Sequence, residues 1–145
     1  MPRYFTRDEA QAFLPKVDRL MSQALDLRAV MDSTEKQLRD ATRRISMLGG
    51  VVVKHHELID LRARHDAALS TLRTAVEDIH DIGCLVKDLD LGLVDFPTLY
   101  RGQEVQLCWK RGETGIDFWH SLEEGFRGRK PIDEDFLAHH SGSEG

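Results

Sequence analysis

The chain of 145 residues is poor in cysteine and has no long apolar segment. Cys84 and Cys108 are too few for a disulfide framework, so we expect free thiols in a reducing compartment. No run of about 18 or more apolar residues occurs, which excludes a transmembrane helix, and the N-terminus lacks the apolar core of a secretory signal. We therefore expect a cytoplasmic protein that does not contact a membrane.

The chain also lacks the short motifs of well-known metal and nucleotide sites. The spacings Cys-x-x-Cys, His-Glu-x-x-His and His-x-x-x-His are absent, so no spacing predicts zinc, and we expect no cofactor. The Walker and Rossmann glycine patterns are absent too. With a formal net charge of −5, the chain has no overall basic character, so we do not expect a nucleic acid as its main partner.

What the chain does have, at its start, is the pattern of a long amphipathic helix. Thr6 and Glu9 have the spacing of a capping box, and we predict a first helix over residues 5–48. Pro15 removes one helical hydrogen bond and predicts a kink, while Gly49-Gly50 predicts the end of the helix. Small or apolar residues recur at alternating spacings of three and four, a coiled-coil-like pattern. Apart from the polar Thr34, these residues are Phe13, Val17, Leu20, Ala24, Leu27, Met31, Leu38, Ala41, Ile45 and Leu48.

A second helix follows the same periodicity. We predict it over residues 53–83, with residue 91 as an alternative end, and antiparallel to the first helix. His65 lies within its apolar stripe and is expected to fix the register of the two helices. The stripe is wider than two helices need, so we predict a homodimer through the helices, and a further protein partner is an alternative. The stripe comprises Leu58, Leu61, His65, Ala68, Leu72, Ala75, Ile79 and Ile82, widened by Ile59, Leu69 and Val76.

After the helices the period of the apolar residues changes to two, which indicates β-strands. Gln103–Lys110 alternates between apolar and polar residues and forms the predicted middle strand. Leu93–Phe96, ended by Pro97, and Ile116–Trp119 supply the flanking strands of a small antiparallel meander over residues 92–120. A sheet of this size needs further packing for stability. We expect it to pack on the helices through Phe96, Trp109 and Phe118.

Together these patterns predict an α+β protein that is mostly α. Its long antiparallel helical hairpin, coiled-coil-like, precedes a small antiparallel β-meander and an irregular C-terminal tail. We assign residues 1–137 to a single domain in which residues 121–137 form a packed tail, and we predict that residues 138–145 are disordered.

Short motifs are distributed over nearly the whole chain and are specific in combination. They are Tyr4-Phe5-Thr6, Glu9-Ala10, Leu14-Pro15, Gly92-Leu93-Val94-Asp95-Phe96-Pro97, Leu107-Cys108-Trp109, Gly112-Glu113, Trp119-His120, Gly128-Arg129 and Pro131. Together they resemble a bacterial protein family known as domain of unknown function 2203. The resemblance implies a small cytoplasmic protein whose helices precede a compact, motif-rich tail, and it brings no established activity.

Residues capable of chemistry are concentrated in the predicted sheet and tail. His120 is the candidate for proton transfer, and Asp95, at a strand end, is a candidate base or metal ligand, with a turn cap as its structural alternative. Arg127 and Arg129 lie beside glycines and are candidates for binding a carboxylate or phosphate. The competing interpretation is that Arg129 pairs with a carboxylate and holds the tail on the sheet. Those carboxylates are Asp95, Glu113 and Asp117, and Trp109 and Trp119 would line the ligand site.

Cys108 is interpreted as a small packing residue rather than a nucleophile. Strand alternation predicts that Cys108 and His120 lie on opposite faces, so a metal pair of the two would need a bulge at Trp119. If a helix begins near Asp117 instead, His120 and Glu124 are one turn apart and can pair. Weak metal candidates are Asp117, Glu113 and His120.

These observations lead to two hypotheses for function, and they leave enzymatic activity open. The first is a dimeric interaction or scaffold protein, because the helical patterns are long and no catalytic signature is present. The alternative is a small-molecule or anion-binding protein, or an enzyme, with a site at the junction of sheet and helices around Asp95, His120 and Arg129.

Overall fold

The computed structural model describes residues 3–47 and 55–143. The chain divides into two compact units: the first contains the chain up to Met21 and again from Val76, and the second lies between these segments. The single domain predicted for residues 1–137 stays a prediction. No helix in the described part of the chain is long and apolar enough to cross a membrane.

The helices are α1 (Arg7–Ala12), α2 (Leu14–Met47), α3 (His55–Ile82) and α4 (Glu134–His139), with a short 3-10 helix at Phe126–Gly128. The strands are β1 (Leu85–Asp88), β2 (Leu93–Tyr100), β3 (Gln103–Lys110), β4 (Phe118–Ser121), β5 (Lys130–Pro131) and β6 (His140–Ser141).

The predicted first helix is divided at Phe13 into α1 and α2. Its start is as predicted, because the Thr6 hydroxyl accepts the Glu9 N–H and the Glu9 carboxylate accepts the Thr6 N–H, each at 3.2 Å. The prediction of one continuous helix is wrong. Pro15 has no N–H and crowds the carbonyl of Gln11, so the predicted kink becomes a break just before the proline.

Within the second unit, α2 packs against α3. The predicted apolar positions that the structure describes in this unit are buried or half-buried, apart from the exposed Ile59. Leu48 lies outside the described residues. Thr34 is also buried, and its hydroxyl donates to carbonyls of its own helix. His65 on α3 has its Nε2 atom 3.0 Å from the Glu35 carboxylate on α2, and this hydrogen bond raises the pKa of His65. The predicted helix end at Gly49-Gly50 lies outside the described residues.

Helix α3 ends at Ile82, so the alternative end at residue 91 is wrong. Gly83 follows with a φ of 113°, a conformation that residues with a side chain rarely adopt. A Cβ atom there would also lie 3.2 Å from side-chain atoms of Arg3 and Phe5. The chain therefore leaves the helix at this glycine and enters β1.

The described strands form an antiparallel sheet in the order β1-β2-β3-β4-β5. Strand β6 pairs with β2 on the same edge as β1. The predicted small antiparallel sheet is thus present and extends beyond residues 92–120, because β1, β5 and β6 add to it.

Strand β2 continues through Pro97 to Tyr100, so the prediction that the proline ends it is wrong. On one edge of β2, β1 pairs as far as Asp95 and β6 pairs from Leu99, which leaves Pro97 between them. The Pro97 carbonyl there accepts the Phe5 N–H at 2.7 Å. A proline at such an edge position costs no hydrogen bond of the sheet, because its nitrogen points away from β3.

The prediction of a disordered tail over residues 138–145 is wrong for residues 138–143. Phe136 on α4 is fully buried and contacts the rings of Tyr100 and Trp119 at centroid distances of 4.7 and 5.1 Å. The burial of this ring and the pairing of β6 with β2 hold the tail in place.

The two faces of the sheet differ in chemistry. The core face, which carries Trp109 and Trp119, contributes to the apolar core of the first unit, and the opposite face, here called the site face, carries polar residues. Phe118 lies on the site face under the Arg129 guanidinium, at 3.8 Å, so its predicted packing on the helices is wrong. The core comprises Val94, Phe96, Val105, Leu107 and Trp109 with Phe5, Leu14, Val17, Ile79, Ile116 and Phe136, among others.

Candidate functional site

Three buried side chains on the site face can together bind a metal ion. They are Asp95 on β2, Cys108 on β3 and His120 on β4, which are 2%, 1% and 4% exposed. One ligand atom from each lies within 4.8 Å of the others. Asp95 is directly opposite Cys108 in the register of β2 and β3. The pairing of three strands therefore brings together residues that are far apart in sequence.

Cys108 and His120 lie on the same face, so the prediction of opposite faces is wrong. In the register of β3 and β4, Leu107 pairs with Trp119 and Cys108 pairs with Phe118. His120 is two residues after Phe118 and shares its face. The prediction treated Phe118 as the residue that faces the core, whereas Trp119 does so. No bulge at Trp119 is needed.

The imidazole of His120 is held on both sides. Its Nδ1 atom lies 2.8 Å from the carbonyl oxygen of Ser121, which only accepts hydrogen bonds, so Nδ1 carries a proton. Its Nε2 atom lies 3.1 and 3.0 Å from the two carboxylate oxygens of Asp95. The hydrogen bond with Asp95, and secondly the contact with Cys108, raise the pKa of His120 to about 10. In the metal-free protein the ring is therefore an imidazolium paired with a buried carboxylate.

Gln106 extends this group of polar residues. It is 5% exposed and lies directly opposite His120 in the register of β3 and β4. Its Oε1 atom is buried and has no hydrogen-bond partner among the described residues. Buried polar atoms are normally hydrogen-bonded, so an acceptor in this state marks a place where a ligand with a donor would be stabilised.

Arg129 also lies on the site face, where its guanidinium covers the ring of Phe118. It forms an ion pair with Glu113, which confirms the interpretation that Arg129 holds the tail on the sheet. Glu113 also accepts the backbone N–H of Lys110 at 2.7 Å. Asp117 pairs with Arg7 at 3.1 Å. The two weak metal candidates, Glu113 and Asp117, are thus engaged in other contacts and do not belong to the cluster with His120.

The remaining predicted ligand-binding residues lie elsewhere. Trp109 and Trp119 are on the core face, because they pair with Val94 and Leu107 respectively. Arg127 is exposed in the 3-10 helix. The alternative pairing of His120 with Glu124 is wrong, since His120 lies in a strand and Glu124 contacts Lys130 at 2.9 Å. Sequence reasoning missed Gln106 and the place of Cys108 beside His120, although putting both tryptophans on one face would have revealed both.

The cluster has the chemistry and spacing of a zinc site. Thiolate, imidazole and carboxylate are the three ligand types that zinc takes in proteins. With bonds of about 2.0–2.3 Å, the ligand atoms of a tetrahedral site lie about 3.3–3.8 Å apart. Atoms already within 4.8 Å need only a small contraction to reach that geometry. The Ser121 carbonyl holds Nδ1 of His120 and directs Nε2 to the cluster, as backbone carbonyls do for zinc-bound histidines.

The same three residue types also occur in cysteine nucleophile sites, but the geometry here differs. In such a site one imidazole nitrogen contacts the thiol and the other contacts the carboxylate. In this protein Nδ1 is hydrogen-bonded to the Ser121 carbonyl and Nε2 to the Asp95 carboxylate. Metal ligation therefore fits the arrangement better than covalent catalysis.

The comparison with protein families agrees with the resemblance noted from the motifs. The family model described as "Uncharacterized conserved protein (DUF2203)" matches residues 3–132, a range that contains the complete Asp95, Cys108 and His120 cluster. No curated protein and no solved structure matches the chain. Because the match covers most of the sequence, the chain belongs to the family of uncharacterized conserved proteins DUF2203.

Proposed function

We propose that this protein binds zinc through Asp95, Cys108 and His120. The supporting observation is the convergence of three different zinc-ligand side chains, all buried, from three adjacent strands. The structural alternative is a buried ion pair with a thiol beside it. Burying a charged pair has a desolvation penalty of several kcal/mol per ion, which a hydrophobic pair would avoid. A metal-binding role gives a reason for this costly arrangement.

The charge of the cluster supports the exchange of protons for zinc. In the metal-free protein the charges of the His120 imidazolium and the Asp95 carboxylate cancel. In the zinc form a neutral imidazole, a carboxylate and a thiolate balance the two charges of the ion. The buried site is neutral in both states, so loading needs no additional counter-charge.

Three protein ligands leave one of the four positions of zinc for another molecule. Structural zinc sites usually have four protein ligands, whereas catalytic sites have three and a water or substrate. The described cluster supplies three. The proposal therefore refines the small-molecule or enzyme hypothesis: the site lies on the sheet around Asp95 and His120, without the two tryptophans.

The test is a zinc titration of chelator-treated protein without an affinity tag, in competition with a chromophoric chelator. We expect one zinc per chain and at least about 100-fold weaker binding in Cys108→Ser, because the thiolate ligand is lost. Cys84→Ser is the matched control: Cys84 is the other buried cysteine, and its thiol contacts the Ile79 carbonyl at 3.3 Å. Cobalt-loaded wild type and Cys84→Ser should show a thiolate charge-transfer band that Cys108→Ser lacks.

Folding of each variant is checked by circular dichroism before the titration. A folded wild-type protein that binds no stoichiometric zinc would refute the proposal. Equal zinc affinities of Cys108→Ser and Cys84→Ser would do the same, because the binding would then not depend on the cluster.

We propose as a second function that two copies of the chain assemble through the helices of the second unit. Val30 and Ile59 support this proposal, because these apolar side chains are 43% and 64% exposed on α2 and α3. Sedimentation equilibrium at micromolar concentration should give twice the chain mass of 16.6 kDa. Ile59→Lys should shift the protein to the monomer, and the same change at the exposed neighbour, Asp60→Lys, should not. A compact wild-type monomer would refute the dimer.

A further inference from the structure

Gln106 has a feature that the three zinc ligands do not explain. Its side chain is 5% exposed on the site face, opposite His120, and its Oε1 atom has no partner among the described residues. A buried acceptor in this state costs about 1–3 kcal/mol relative to a satisfied one. A strand residue that faced only packing would avoid this cost with an apolar side chain.

The two imidazole nitrogens of His120 on this face are already engaged. The Nδ1 proton of His120 goes to the Ser121 carbonyl, and Nε2 faces Asp95. Arg129 has a buried Nε without a partner among the described residues, yet its guanidinium is held over Phe118 and by Glu113. None of these groups donates to Gln106 Oε1, so a bound ligand can supply the missing donor.

Resting on the zinc-binding function proposed above, we infer that Gln106 orients the fourth zinc ligand, and that this ligand is an O–H donor. In the resting protein it is a water molecule, which donates to Gln106 Oε1. Hydroxyl-bearing small molecules are the ligand class that can replace this water, because they keep the hydrogen bond. Anions that only accept hydrogen bonds are disfavoured, because they place a second acceptor against the Gln106 oxygen. Gln106 is thus a positioning residue that selects the fourth ligand.

The test uses cobalt-loaded protein, whose visible spectrum changes when the fourth ligand changes. Azide is the probe, because it binds the metal and donates no hydrogen bond. We expect Gln106→Leu to bind azide at least about tenfold more tightly than wild type, since the opposing acceptor is removed. Gln106→Glu, which keeps an acceptor at this position, should bind azide no better than wild type. Gln103→Leu, on an exposed residue of the same strand, is the matched control and should behave like wild type.

The readouts separate this inference from the function on which it rests. If cobalt-loaded wild type lacks the thiolate band, zinc binding at the cluster fails and the inference fails with it. If the band is present in all variants and azide binds Gln106→Leu and wild type equally, only the role of Gln106 is refuted. Should Gln106→Leu not fold, Gln106→Ala takes its place, because it also removes the acceptor without adding a charge: tighter azide binding than wild type supports the role, and equal binding refutes it.

Discussion

Replacing His120 with leucine is expected to lower the free energy of unfolding of the metal-free protein by about 3–5 kcal/mol. The imidazolium is the counter-charge of Asp95, which is 2% exposed, and it contacts both carboxylate oxygens at 3.0 and 3.1 Å. Without the ring, the carboxylate is buried and uncompensated, and the Ser121 carbonyl loses its donor as well. Urea unfolding of chelator-treated protein at neutral pH measures the loss.

The double variant Asp95→Leu/His120→Leu distinguishes a lost charge pair from a poorly packed side chain. It is expected to be more stable than His120→Leu alone, because replacing both members of a buried ion pair often changes the free energy of unfolding only little. His139→Leu is the control, since His139 contacts Asp135 at 3.2 Å on the exposed surface and its loss should cost no more than about 1 kcal/mol. If the double variant loses as much stability as His120→Leu, the buried pair is not the cause.

The second large effect concerns pH: the metal-free protein should lose stability as pH rises, whereas zinc should bind more tightly. The folded state raises the pKa of His120 to about 10, from about 6.5 for a free side chain. The folded state therefore holds this proton more tightly than the unfolded chain. The stabilisation is complete below pH about 6.5 and disappears progressively as pH rises to about 10. Urea midpoints of the metal-free protein across this range should fall, with a shallower slope in the His120→Leu variant.

Zinc binding requires the Nε2 atom of His120 to lose the proton that stabilises the metal-free protein. The ion has to replace the Nε2 proton of His120, so its apparent affinity should rise about tenfold per pH unit below pH 10 from this proton alone. Competition titrations at pH 6, 7 and 8 measure the slope. A zinc affinity that does not change with pH would show that His120 is not a ligand.

The helices were predictable because their signals are local. The capping box of Thr6 and Glu9 and the three-four spacing of the apolar residues act within a few turns of one helix, and both are present as predicted. Pro15 predicts a disturbance of the helix at this point, although the structure shows a break rather than a kink. The C-terminal strand β6 was missed, because its partner β2 lies far away in the sequence.

The candidate site shows the limit of the same approach. Its ligands are isolated residues on three strands, so no short spacing marks them as a metal site. Residue type alone makes Asp95 and His120 candidates, but the sequence-based hypothesis places them beside Trp109 and Trp119, which lie on the other face of the sheet. A strand alternates its side chains with a period of two, so a misplacement by one residue moves every side chain to the other face.

The sequence by itself determined the order and type of the main elements, because periodicity and capping depend on neighbouring residues along the chain. Only the tertiary structure decided which face of the sheet Cys108 and His120 share and which of their neighbours they contact. That outcome depends on the register between strands, and the register is set by the packing of Trp109, Trp119 and the other core residues, which no local pattern specifies.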